Sequence, residues 1–363
     1  MNYCEKIRYS IVKVQESGTF SDMMDSLFGR ISVEGKILRL VVFGSPSDNV
    51  RYIEERNILK NYIDLNYPDE KPAWSYVAQP PLDAGLVVEI HSYLPYDDEV
   101  LYREYEGKPY IVIENSDGRF LYSGGWQADL CTDIYTQSCE VFRQMKGLLD
   151  KEGFPVSAIV RQWNYIERIT AFDGDDQHYQ MFNNARSCFY SAVNWKDGYP
   201  AATGIGSSCG GVIVDFDAVL LNSADCFIIP IDNRLQIAAH AYSDNVLLEA
   251  GRMKTTPKFE RAKSLNLGSR RVVYISGTAA IRGENSLVGV GIEKQTEITL
   301  ENIAHLTDNA DICLFRVYLN NSDNCDVAKQ LLYKYEDDVY ISYLLTDVCR
   351  NELLIEIEGV AIE

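Results

Sequence analysis

The chain has 363 residues, of which 46% are hydrophobic and 24% charged, a composition that fills two or three globular cores and excludes a disordered or low-complexity polymer. Its formal net charge of −19 repels nucleic acid and anionic membrane, and no apolar run approaches the ~18 residues of a membrane span. Nine cysteines without close metal-type spacing and four scattered histidines leave little for a metal centre or a Ser/His/Asp triad, so neither a metal nor a cofactor is expected.

In chain order, MNYCEKIRYSIV carries charges where a signal peptide would be apolar, which predicts a reduced cytoplasmic protein. The segment to about Asp97 mixes strand-like runs, ILRLVVFG (Ile37–Gly44) and GLVVEIHSYL (Gly85–Leu94), with polar turns, and Arg51–Ile63 has helical apolar spacing. LNYPDEKPAW (Leu65–Trp74) is a loop by its two prolines and its charges. YIVIE and RFLYS around Asn115–Gly118 form a hairpin. The pattern then predicts a helix (Thr132–Glu152), a strand (Val156–Ile166), a helix (His178–Val193), a loop and a strand (Gly211–Leu221). A second series follows: RRVVYIS, a helix over Glu293–Leu306, DICLFRVYL, a helix over Cys325–Tyr335, VYISYLLTD and LLIEIEGV. YEDD (Tyr335–Asp338), GSPSDN (Gly44–Asn49) and FDGDD (Phe172–Asp176) are solvated turns or faces. GIGSSCGG (Gly204–Gly211) has no phosphate-loop context and is a close backbone approach.

The two series share four landmarks in one order. LYSGG is followed, 14 residues after Ser123, by a helix opening at Gln137; YISGT is followed, 19 residues after Ser276, by one opening at Gln295. An apolar run with one arginine comes next, Arg161 in AIVRQWNYI and Arg316 in CLFRVYL. Each series closes on an acidic strand, VIVDFDAV and LLIEIEGV. Such a repeat predicts two copies of one α+β domain, each a mixed sheet with helices on one face. The boundary is placed at residues 1–225 and 226–363, with an extra segment before the first copy.

SGTAAI (Ser276–Ile281), QTEITLENI (Gln295–Ile303), RVYL (Arg316–Leu319) and IEIEGVAIE resemble the RidA/YjgF superfamily, whose domains have a chorismate-mutase-like fold. RQWNYIERI (Arg161–Ile169), YQMFNNARSCFY (Tyr179–Tyr190), PAATGIG (Pro200–Gly206) and DVCRNELLIEIEG (Asp347–Gly359) are similar, more narrowly, to chorismatases. The match runs from about Val156 to the C-terminus. The resemblance implies a cofactor-independent hydrolase that releases pyruvate from chorismate by protonating its enol ether. Glu356 is then the acid, against the plain reading of IEIE as a half-solvated strand, and Cys349 bears on whether the product aromatises to 3-hydroxybenzoate or stays a cyclohexadiene diol. A dicarboxylate substrate asks for arginine forks and hydrogen-bond donors. Arg161, Arg186, Arg316, Arg350, Asn164 and Tyr165 are the candidates.

Two other readings stand beside this one. A RidA-like imine deaminase needs an arginine on the strand before the terminal acidic strand, where VYISYLL has Ile341 and Ser342 instead. A non-catalytic ligand-binding protein would suit the divergent stretch Ser243–Pro257, in which Arg252 and Lys254 are the basic residues offered to an anion. RidA-like domains usually form trimers with sites between subunits, so the repeat permits a monomer or a homotrimer.

Overall fold

A computed structural model describes residues 2–243, 254–308, 310–336 and 339–363. Arg252, Asp337 and Asp338 lie outside the described residues. The α+β class expected from the sequence holds. Three sheets carry it, not two, and the first 225 residues, expected as one domain, hold two of them.

The first unit contains β1 (Ile7–Val14), α1 (Phe20–Arg30), β2 (Lys36–Gly44), α2 (Asn49–Asn66), β3 (Ala73–Ala78) and β4 (Leu86–Tyr93). The second opens with the hairpin β5 (Glu99–Tyr105) and β6 (Lys108–Glu114). It continues with β7 (Gly118–Gln127), α3 (Ile134–Glu152), β8 (Ile159–Glu167), α4 (His178–Tyr190), β9 (Ala201–Ser207) and β10 (Val212–Leu221). The third runs β11 (Cys226–Ile231), β12 (Ala262–Leu267), β13 (Arg270–Ala279), α5 (Gly291–Thr307), β14 (Asp311–Leu319), α6 (Cys325–Tyr335), β15 (Tyr340–Leu345) and β16 (Ile355–Ile362).

Sheet order shows that these are versions of one unit. The orders are β1-β4-β2-β3, β9-β8-β10-β7-β6-β5 and β11-β12-β13-β16-β14-β15. In each, the strand after the first helix pairs in parallel with the strand after the second helix, as right-handed crossovers allow. The last strand then inserts antiparallel between the first and second. The first unit lacks only the opening hairpin. Its arginine strand, ILRLVVF, and its closing strand, VVEIHSY, are the counterparts of AIVRQWNYI and VIVDFDAV. The repeat therefore has a third, earlier copy, hidden in sequence because its closing strand reads Glu–His where the others read two acids.

Local chemistry sets the elements. Thr19 and Asp22 form a capping box that starts α1, which has Phe20, Met24 and Leu27 on its buried face. Asp48 and Asp133 cap α2 and α3 by accepting from the Arg51 and Thr136 amides, both at 2.9 Å. Gly153 ends α3 in the left-handed conformation (φ 72°). The helices cover one face of each sheet: Val141, Phe142 and Met145 pack on Val214 and Phe216, and Leu300, Ile303 and Leu306 on Ile355 and Ile357. Each such side chain contributes roughly 1.5–3 kcal/mol on burial.

The opposite faces turn toward one another, and their polar residues are buried too. Arg39, Arg161 and Arg316 occupy the same register position in β2, β8 and β14, opposite His91, Asp217 and Glu358. All three guanidinium groups lie over the Trp163 ring, at 4.8, 4.6 and 5.4 Å from its centroid. Each pairs with the next unit. Arg39 meets Asp217 at 2.5 Å, Arg161 meets Glu358, and Arg316 grips both oxygens of Glu89 at 2.6 and 2.7 Å and reaches Glu358 at 3.1 Å. Burial works against the Glu89 carboxylate, but Arg316 and the His91 contact hold it well below the ordinary range. Burial pushes the neighbouring His91 down, so its imidazole stays neutral at pH 7.

Removing one member of a buried pair strands its partner in low dielectric, at a cost of about 3–5 kcal/mol. Arg316→Met should lower the free energy of unfolding by about that much, read as a shift of the denaturant midpoint at unchanged slope. A loss below about 1 kcal/mol would mean that Glu89 and Glu358 do not depend on Arg316.

Candidate active site

A cleft lies between the second and third units and holds about 750 Å³ of space unfilled by protein. The second unit supplies Ala202 and Gly204 of β9 with Tyr179, Gln180 and Asn183 of α4. The third supplies Gly277 and Ala279 of β13, Glu356 of β16, and Cys349, Arg350 and Leu353 from the link before β16. The link between β11 and β12 closes the rim with Tyr242, Phe259 and Arg261.

PAATGIG, expected as a loop, is mostly the strand β9. It reads poorly as a strand because its glycines leave room for neighbours: a Cβ on Gly204 would meet the Tyr179 ring at 2.8 Å. Gly277 has the same purpose across the cleft, since a Cβ there would collide with the Glu356 carboxyl. It sits in a β-bulge of β13, and its amide donates to Thr203 Oγ1 at 3.0 Å, which ties the two units together at the cleft floor.

Glu356 is 5% exposed and makes no hydrogen bond among the described residues. The alternation in IEIE is real, with Ile355 and Ile357 toward the helices. The other face meets the neighbouring sheets instead of water, so the half-solvated reading fails. Burial, helped by the charge on Glu358, raises the Glu356 carboxyl to about 8 against the pull of Arg261, Arg161 and Arg350. At neutral pH the group is predominantly a carboxylic acid, and it lines the cleft.

Cys349 faces the same cleft. Burial first, then Glu356, pushes its thiol up to about 12, so it is a neutral thiol and not a nucleophile. Two arginines line the cleft without a carboxylate partner among the described residues. Arg350 donates to Glu284 O and Ser286 Oγ, each at 3.0 Å. Arg261 donates to Ile237 O at 2.8 Å and to the Tyr242 hydroxyl. Both guanidinium groups lie over the Tyr242 ring, at 5.2 and 5.4 Å from its centroid. This is an anion-receptive wall beside a protonated carboxyl.

Of the residues singled out in sequence, Glu356, Cys349 and Arg350 come together here. Arg186 sits one helical turn behind the wall and donates to Asn183 Oδ1 at 2.5 Å, which makes it a positioning residue for Asn183. Arg161, Asn164, Tyr165 and Arg316 do not line the cleft. Arg161 and Arg316 hold the central ion pairs, Tyr165 accepts from Arg316 at 2.7 Å, and Asn164 donates to Thr203 O at 2.8 Å. An arginine inside an apolar strand marks a buried partner, and here the partner is protein. The arginine expected of an imine deaminase was sought on β15, whereas the strand that borders the cleft is β9, and AATGIGS has no arginine either. Lys254 is exposed and outside the cleft. Sequence reasoning missed Arg261, Tyr179, Asn183 and Tyr242. Arg261 carries a signal only once the three units are aligned, because FERAK then falls at the mouth of the second strand of the hairpin. Among the described residues no group of three or more His, Cys, Asp or Glu side chains is placed to hold a metal ion, and no helix is long and apolar enough to cross a membrane.

Three fused βαβαββ units around a buried charge cluster, with one working cleft built on a free carboxylic acid, define the class: a single-chain assembly of RidA-like units. The family described as "Chorismatase FkbO/Hyg5-like, N-terminal" matches residues 105–218. A 3-hydroxybenzoate synthase from Streptomyces hygroscopicus is 28% identical over 67% of this chain and 74% of its own length. A chorismatase from the same organism is 27% identical over 69% and 70%. A solved chorismatase structure superposes with a TM-score of 0.71 at 20% identity, covering 98% of this chain and 99% of that one. In sequence and in fold the chain is similar to the chorismatases.

The thiol assignment has a direct consequence. At pH 8 the exposed Cys131 and Cys188 should be alkylated by iodoacetamide while Cys349 stays unlabelled until the protein is denatured, as read by peptide mass spectrometry. Labelling of Cys349 in the folded protein as fast as Cys188 would show a thiolate.

Proposed function

We propose that this protein releases pyruvate from chorismate, with Glu356 as the general acid and 3-hydroxybenzoate as the aromatic product. The observation that carries the reading is the Glu356 carboxyl, uncommitted and protonated at neutral pH, facing a cleft with two unpaired arginines. The similarity to chorismatases supports it, as does the similarity to a 3-hydroxybenzoate synthase.

Chorismate carries a ring carboxylate and an enol-ether pyruvyl carboxylate. Arg350 and Arg261 take a carboxylate each, or share one, and the Tyr242 ring between them keeps their forks in place. Glu356 then gives its proton to the terminal carbon of the enol ether. The electron pair of the C=C bond forms the new C–H bond, and the adjacent carbon becomes an oxocarbenium ion. Water adds to that carbon and loses a proton to give a hemiketal; the bond from that carbon to the ether oxygen then breaks, the oxygen stays on the ring as a hydroxyl, and pyruvate leaves. The diol route consumes one water; the aromatic route consumes none overall, because ring dehydration returns it. The Glu356 carboxylate left behind is stabilised by Arg261, Arg161 and Arg350 until it is reprotonated. Cys349, a neutral thiol against the ring site, is placed to affect how the intermediate is trapped.

The test is incubation of purified protein with chorismate, following pyruvate and identifying the second product. Glu356→Gln should lower kcat by about 10²–10⁴-fold. The acid form is the active one, so kcat/KM should be level below pH 8 and fall as pH rises through about 8. Absence of pyruvate, or activity unchanged in Glu356→Gln, would defeat the reading.

We also propose that the chain works as a monomer. Each unit closes on the next within one chain: Ser208 N donates to Ala78 O, Ala202 N to Ser276 Oγ, and Leu82 N to Tyr343 O, all at 2.9 Å. Light scattering coupled to gel filtration should give the mass of one chain, and a mass of three chains would exclude this arrangement.

A further inference from the structure

The interface between the first and second units repeats the architecture of the working cleft. Its cavity encloses about 550 Å³, bounded by α2, by Trp74 of β3, by Gly124 and Gly125 of β7, and by the Glu106–Pro109 turn. These are the counterparts of α4, Ala202 of β9, Gly277 of β13 and the segment leading into β12. A two-residue turn here takes the place of the long β11–β12 connection.

The chemistry has changed sign. Asp215, the counterpart of Glu356, is buried, and its Oδ1 accepts from Ser75 Oγ at 2.5 Å and from the Gly125 amide at 2.7 Å, while Oδ2 has no hydrogen-bond partner among the described residues. The cavity is lined instead by the cations Arg56 and Lys108, with Lys60 at the rim. Arg56 stacks over Trp74 at 5.2 Å, and Lys108 Nζ donates to Gly125 O. Neither Arg56 nor Lys108 pairs with a carboxylate among the described residues. Glu106, the acid at the lip, is bound to Arg143, and Lys60 to Asp64. Burial and the neighbouring Arg56 push the Lys108 ammonium down to about 7. Arg56 and Lys108 face one cavity without a carboxylate partner among the described residues, in a chain of net charge −19, and an anion between them would favour the ammonium form of Lys108 while satisfying free N–H groups of both.

We propose that this second cavity is a binding site for a small oxyanion, a carboxylate or phosphate group, gripped by Arg56 and Lys108 and separate from the chorismate cleft. Asp215 does not line this cavity, so the site is read as a binding site and not as a second acid-catalytic one. Occupancy stitches α2 of the first unit to the β5–β6 hairpin of the second, so the ligand stabilises the junction of the two units.

The test uses the full chain in a zwitterionic, chloride-poor buffer, titrated with inorganic phosphate and, separately, with benzoate. Binding is followed by calorimetry and by tryptophan fluorescence, with Trp74→Phe to assign the optical change. Saturable binding is expected, at least tenfold weaker in Arg56→Gln and in Lys108→Met, with pyruvate release unchanged in both variants and with their melting temperatures in ligand-free buffer close to wild type. Binding of phosphate alone marks a phosphoryl ligand; binding of benzoate alone or of both marks a carboxylate or a general oxyanion site. Either supports the proposal. It is overturned if neither anion binds, or if both variants keep wild-type affinity, which would put the anion in the chorismate cleft.

Discussion

The structure is organised by three arginines that converge on one indole. Arg39, Arg161 and Arg316 come from equivalent strands of three units, and each finds its carboxylate in the next unit around the Trp163 ring. Buried cations of this kind are costly unless fully paired, so no unit satisfies its arginine alone. The polar inner faces that would make each sheet insoluble in isolation become the reason the three stay together. The apolar cores under the helices supply most of the gross stabilisation, and the charge cluster dictates which sheet faces which.

The same cluster reaches the chemistry. Glu358 lies two residues from Glu356 on one face of β16 and is bound by Arg161, Arg316, Thr203 and Tyr318. Its negative charge is thereby fixed within reach of Glu356 and adds to burial in keeping that group protonated. The arginines that moderate the effect are engaged elsewhere, Arg161 with Glu358 and Arg350 with backbone and serine oxygens. The acid is thus poised first by burial and then by the charges around it, of which Glu358 and Arg161 stand outside the cleft and Arg261 and Arg350 in its wall.

Much of this was legible in sequence, and the failures have physical causes. Helices and strands with clean periodicity fell within a few residues of their observed limits, as with α3, α6 and β14. Glu356 and Cys349 were found through the family motif, because a strand of alternating acids looks the same whether its polar face meets water or another sheet. Arg161 and Arg316 were offered as substrate clamps and instead pair with protein carboxylates, because a sequence does not distinguish a protein carboxylate from a substrate carboxylate as the partner of an arginine in an apolar strand. β9 was read as a loop because glycines that make room for Tyr179 carry no strand propensity. The first unit escaped notice for a related reason: its closing strand substitutes His91 for the second acid, and its missing hairpin removes the landmark that opens the other two.

That substitution also bears on why three equivalent positions leave one carboxyl without a side-chain partner among the described residues. The positions Glu89, Asp215 and Glu356 are the same residue of the unit, two before His91, Asp217 and Glu358. In the first unit the neutral His91 gives Arg316 no carboxylate at the usual place, so Glu89 takes the ion pair and is locked in its charged form. In the second, burial raises Asp215, but Ser75 and the Gly125 amide bind its Oδ1 and the bulge closes over it. In the third, Glu358 satisfies the arginines, Gly277 leaves space, and nothing binds Glu356. Three subunits of a symmetric trimer must all carry the same site, whereas fusion into one chain lets each position diverge. Two of the three then serve the scaffold, and the third keeps its proton.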